Sequence, residues 1–162
     1  MRRWKVADSR ALRAILTGGL LAGAFDITYA FITWGLQGLT PIQIGQSVAA
    51  GLLGREAAFA GGVPSGILGL VLHFLMAIIM AAVYYTAATR VPLLVKRAVL
   101  CGAVYGLGLY VVMNFVVMPL SAIGRFGGGG GSMTVLITSI LVHMFLVGVP
   151  IAHFTRRALR GG

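Results

Sequence analysis

Four stretches of this chain, residues 14–36, 64–88, 98–120 and 133–154, are almost wholly apolar, and Asp26 is the one charged side chain inside any of them. Each is long enough to cross a hydrocarbon core of about 30 Å, which takes about 20 helical residues. No water reaches backbone groups in that layer, so each stretch must satisfy its own N–H and C=O groups as a helix. Composition agrees: 59% of the 162 residues are hydrophobic, 10% are charged and mean hydropathy is +0.97. Soluble domains carry roughly 25% charged residues. The remaining connections are too short for a separate soluble domain. The expectation is one all-α integral membrane domain, residues 1–162, folded as a four-transmembrane-helix bundle.

Charge gives the threading. Arg2, Arg3, Lys5, Arg10 and Arg13 precede the first span, Arg90, Lys96 and Arg97 join the second to the third, and Arg156, Arg157 and Arg160 follow the fourth. Only Arg55 and Arg125 fall on the other side. Lys and Arg near span ends favour the cytoplasm, so both termini are expected inside, with connections 37–63 and 121–132 outside. The net charge of +10 is then a topology signal, and its natural partner is membrane lipid with anionic headgroups. No nucleic acid is expected, because the basic residues flank spans instead of lining one face of a folded domain. The Met-Arg-Arg-Trp-Lys start resembles a secretory signal, but the apolar run after it exceeds the roughly 7–15 residues of a signal core. It is expected to stay as a span. The single cysteine, Cys101, lies inside the third span, reads as a small buried hydrophobe and excludes an intramolecular disulfide.

The first outer connection contains Thr40-Pro41, a capping hydroxyl followed by proline at the first helical position. The residues from Ile42 to Leu53 are too polar and too few for a span, so a short interfacial helix is expected between spans one and two. It would serve either as a lid over an outer cavity or as a packing element at the membrane surface. The second outer connection holds Gly127 to Gly131, expected to be flexible. It lacks the lysine and hydroxyl of a phosphate-binding loop.

Gly19 and Gly23, and again Gly102 and Gly106, form small-xxx-small pairs that let helix backbones approach closely. Helical spacing puts Gly19, Gly23, Asp26, Ala30 and Thr33 on one face. An ionised carboxylate at that depth costs on the order of 2.5–3.5 kcal/mol or more unless it is paired, protonated or facing a polar cavity. His73 and His143 lie at similar depths on spans two and four, in the matching strings Leu70-Val71-Leu72-His73 and Ile140-Leu141-Val142-His143. With the glycine pairs of spans one and three, this points to a duplicated helical hairpin. Asn114 adds an amide on span three. Pro119 and Pro150 free the carbonyls of Phe115 and Leu146, which neighbouring groups or water must satisfy. Asp26, His73, Asn114 and His143 are therefore the candidate polar intramembrane site.

Each also has a purely structural reading. A neutral histidine can bond a backbone carbonyl or a hydroxyl such as Thr138 or Ser139, and Asn114 can act as interhelical glue. Trp34, Tyr84, Tyr85 and Phe154 fit interfacial anchoring. His153, beside Arg156, is placed to reach the headgroups.

Gly-Leu-Leu-Ala-Gly-Ala-Phe-Asp in span one, Leu-His-Phe in span two and Met-Asn-Phe-Val-Val-Met-Pro-Leu at the end of span three resemble small bacterial inner-membrane proteins of the YagU-like group. The resemblance covers most of the chain. It departs from that group in a brief first outer connection and a glycine run in the second. It implies an inner-membrane location and a link to acid tolerance, and it carries over no reaction and no catalytic residues.

Three function classes follow. The first is handling of protons, metal ions or a small solute, with Asp26 titrating or coordinating and His73 and His143 as relays or ligands. The second is a structural or assembly subunit, a homo-oligomer or the partner of another membrane protein through its glycine faces. The third is a haem protein with His73 and His143 as axial ligands. The residues name no cofactor and no particular metal, and no Ser-His-Asp or Glu-x-x-His pattern supports an enzyme.

Overall fold

A computed structural model describes residues 2–122 and 132–160. Arg125 and the run Gly127 to Gly131 lie outside the described residues. Among those described, every regular element is a helix: α1 (Arg2–Gly35), α2 (Pro41–Leu53), α3 (Arg55–Ala60), α4 (Gly62–Arg90), α5 (Pro92–Lys96), α6 (Ala98–Leu120) and α7 (Met133–Arg160). Four are long and apolar enough to cross a membrane: Ser9–Gly35 within α1, then α4, α6 and α7. Only 22% to 28% of each apolar window is buried inside the molecule, so leucine, isoleucine and valine face outward along all four. That is the reverse of a water-soluble bundle and is compatible with a multi-pass membrane protein.

The long helices pack antiparallel. Gly19 of α1 lies against Ala77 and Ile78 of α4, and Gly23 against Phe74 and Ala77. Gly18 meets Ile151 and Phe154 of α7, while Gly102 and Gly106 of α6 meet His143, Met144, Gly148 and Val149 of α7. α1 is thus gripped between α4 and α7, and α6 packs on α7. The start of α1, the end of α7 and α5 lie at one end of the bundle, here the proximal end; α2 and α3 lie at the distal end. A Cβ at Gly102 would approach the Gly148 carbonyl to 2.8 Å, and one at Gly106 would overlap the His143 carbonyl. These glycine faces are therefore filled from within the chain.

The proximal half is closed by an apolar core that includes Ala22, Ala81, Tyr84, Val147, Ile151 and Ala152. Tyr84 is a core residue and not the interfacial anchor expected of it: it is 2% exposed and its ring packs on Tyr105 at 5.0 Å. Its hydroxyl still reaches the end of the bundle, donating to the Leu94 carbonyl at 3.1 Å, so ring and tip are both satisfied. Tyr105 likewise donates to the Met80 carbonyl at 2.8 Å.

At the distal end α2 starts where the sequence places its cap. The Thr40 hydroxyl accepts from the Gln43 N–H and the Gln43 side chain accepts from the Thr40 N–H at 2.8 Å, a reciprocal capping box. Gly45 lets α2 lie directly on the backbone of α4 at Gly66 and Gly69. Gly54, at φ +79, turns the chain into α3 through a region that side-chain-bearing residues rarely enter. Buried Gln46 donates to the Gly62 carbonyl at 2.9 Å, and buried Ser65 donates to the Ala58 carbonyl at 2.5 Å. The Ala122 N–H donates to the Gly51 carbonyl at 2.9 Å, tying α2 to the end of α6.

α6 and α7 each contain a wide turn, Met113–Val117 and His143–Gly148, just before Pro119 and Pro150. The Met118 N–H bonds Met113 and the Val149 N–H bonds Met144, five residues back instead of four. Proline supplies no N–H and its ring crowds the carbonyl four residues earlier. Widening the preceding turn to the π register moves that carbonyl aside without breaking the helix.

Candidate functional site

Asp26 owes its direction to the glycines below it. Gly18 faces α7 and Gly19 and Gly23 face α4, so helical spacing turns Asp26 between those two helices. Its Oδ1 lies 3.9 Å from His143 Nδ1, with the Asp26 side chain 27% and the His143 side chain 18% exposed. The ring nitrogen Nδ1 also lies 2.9 Å from the Ser139 carbonyl. A carbonyl can only accept, so Nδ1 carries the hydrogen and donates it. In that tautomer the ring's lone pair is on Nε2. The Tyr110 ring meets the imidazole edge-on at 5.4 Å between centroids.

Beside this pair stands a hydroxyl group of three. Tyr29 Oη is 2.7 Å from Thr138 Oγ1 and 3.0 Å from Ser139 Oγ. It lies one turn past Asp26 toward the distal end, and its contacts join α1 to α7 at the level where His143 is held. Tyr29 is missing from the candidates that the sequence yields, although it stands three residues from Asp26 and helical spacing alone brings it to the same face. Its signal is present but obscured, because aromatics in spans usually read as packing or anchoring.

The other two predicted residues sit elsewhere. His73 Nε2 lies 2.9 Å from the Gly23 carbonyl, again as the donor, and its ring packs edge-on against Phe74. It closes the seam between α1 and α4. Asn114 is exposed and donates to the Tyr110 carbonyl of its own helix at 2.9 Å. The structure thus brings together Asp26 and His143, with Tyr29, Thr138, Ser139 and Tyr110 around them.

The first glycines of the two pairs make corresponding backbone contacts, and the second glycines sit on corresponding turns. Gly19 faces the Ala77 carbonyl and the Ile78 Cα; Gly102 faces the Gly148 carbonyl and the Val149 Cα. Gly23 lies on the turn of His73 and Phe74, Gly106 on the turn of His143 and Met144. The spacing from histidine to the residue facing the first glycine is one longer in α7, and that extra residue is the π turn.

Among the described residues no three of His, Cys, Asp and Glu gather as metal ligands. A haem held by His73 and His143 would require His73 Nε2 to leave the Gly23 carbonyl. No protein-family model, no curated protein and no solved structure matches this chain.

Proposed function

We propose that this is a multi-pass protein of the bacterial inner (cytoplasmic) membrane, N-in and C-in, with α2 at the outer interface, that takes up and releases a proton at Asp26 and His143 from the outer side. The observation that carries the reading is the 3.9 Å approach of the two groups within helices long enough to span. Carboxyl with neutral imidazole and carboxylate with imidazolium have the same total charge. An imidazolium with hydrogen on both nitrogens can pass its Nδ1 hydrogen to the carboxylate, leaving a carboxyl and an imidazole protonated on Nε2, and this step creates no net charge in hydrocarbon, where net charge is costly. Two donors suit a proton better than a metal ion such as zinc, which takes at least three protein ligands.

The direction of access follows from what lies on either side. Tyr29, Thr138 and Ser139 extend hydroxyls toward the distal end, whereas the core around Ala81, Tyr84, Val147 and Ile151 closes the proximal half. Exchange with the outer side needs no rearrangement of that core; passage through the molecule does. A second reading, a structural or assembly subunit, draws on His73 and Asn114, whose polar groups are met by backbone carbonyls of the same chain.

Proteoliposomes of known orientation separate the two. With acidification on the distal side, the wild-type protein takes up protons and the isosteric Asp26→Asn variant does not, while both unfold at similar temperatures. Equal uptake by the two proteins leaves the structural reading standing alone.

A further inference from the structure

At the proximal end, where α4 stops, α5 turns and α7 finishes, the surface holds a groove of about 410 Å3. Its floor is apolar, built from Ala88, Val95 and Leu159, and its rim carries Thr89, Lys96 and Arg160. The groove exists because Val91 and Arg97 leave helical geometry at either end of α5, so this short helix steps away from α4 and leaves a gap beside the last turn of α7. Lys96 is the last residue of α5 and Arg160 the last of α7. Among the described residues neither has a carboxylate within ion-pair distance. The three acids of the chain are Asp8, Asp26 and Glu56, of which Asp26 faces His143 and Glu56 lies at the distal end in α3. Basic residues in last turns do answer the helix dipole. The dipole gives no reason for an apolar trough between two such cations.

We propose that this groove binds one anionic glycerophospholipid of the leaflet on the side of the termini. Its phosphate sits between Lys96 and Arg160, and its glyceride and the start of its acyl chains lie over Val95 and Leu159. The match is one of charge and of amphipathy: a guanidinium and an ammonium pair with phosphate oxygens, and basic pockets between transmembrane helices on that side are suited to such headgroups. The proposal rests on the membrane reading of the four helices and is independent of the proton reading of Asp26.

Native mass spectrometry of the full chain, incubated in mild detergent with equal amounts of phosphatidylglycerol and phosphatidylethanolamine, tests it. The wild type retains one phosphatidylglycerol in preference to phosphatidylethanolamine. Lys96→Gln with Arg160→Gln weakens that retention by about 30-fold, from the contribution of two basic residues at an anionic surface. Arg10→Gln with Arg13→Gln, which removes the same charge elsewhere at the same end, keeps it, and so does Lys96→Arg with Arg160→Lys. Equal retention of the two lipids by the wild type, equal loss in the two glutamine variants, or loss in the charge-keeping variant overturns the site.

Discussion

His143 is held by two acceptors that compete for one hydrogen. Its Nδ1 donates to the Ser139 carbonyl at 2.9 Å, and Asp26 Oδ1 waits at 3.9 Å, beyond the 2.7–3.2 Å range of a good N–H···O bond. A small rotation of the ring trades one for the other, so the pair is loosely coupled at rest. Tyr29 has a different task, joining α1 to α7 through Thr138 and Ser139. Interhelical hydrogen bonds in membranes average about 0.6 kcal/mol, so Tyr29→Phe is expected to lower stability by about that amount, read from unfolding in detergent. Proton uptake at Asp26 should persist but slow, since the hydroxyl on the distal approach is gone. Unchanged uptake kinetics would separate Tyr29 from the proton route. Asp26 is legible in the sequence through its cost alone. Its partner is not, because three polar residues on three other helices are equally eligible, and only the packing of α1 against α7 chooses His143.

At the scale of the element, glycine spacing and proline position determine how α6 and α7 meet. A methyl group at Gly106 would run into the His143 carbonyl, and overpacking of this kind costs typically 1–3 kcal/mol. Gly106→Ala should therefore lose about 2 kcal/mol in unfolding and displace His143 from Asp26. A methyl group at Gly108 would meet nothing within 4 Å, so Gly108→Ala should be neutral or gain up to about 1 kcal/mol from helix propensity. Equal losses at both sites would contradict the close crossing. Sequence spacing is enough to find these glycines and the start of α2 at Thr40 and Pro41. It does not reveal the π turns: proline announces that a bond is missing but not how the helix absorbs it. Nor does it reveal that Gln46 and Ser65 bury their side chains to clamp α2, α3 and α4, since short polar residues in a connection look the same whether they face solvent or backbone.

On the scale of the whole molecule, the apolar stretches carry most of the fold, because helices in lipid must satisfy their backbones internally. Reporters fused after Gly162 are expected to be active in the cytoplasm and tags placed in the run Gly127 to Gly131 to be reached from outside; a C-terminus accessible from outside would invert the proton-access direction. The two hairpins share their glycine contacts, yet they are not chemically equal. Three residues beyond Gly23 stands Asp26, and three beyond Gly106 stands Leu109, which is buried in the apolar core. The repeated frame therefore holds its acid once. Whatever the number of copies assembled in a membrane, the stoichiometry of that centre is one per polypeptide.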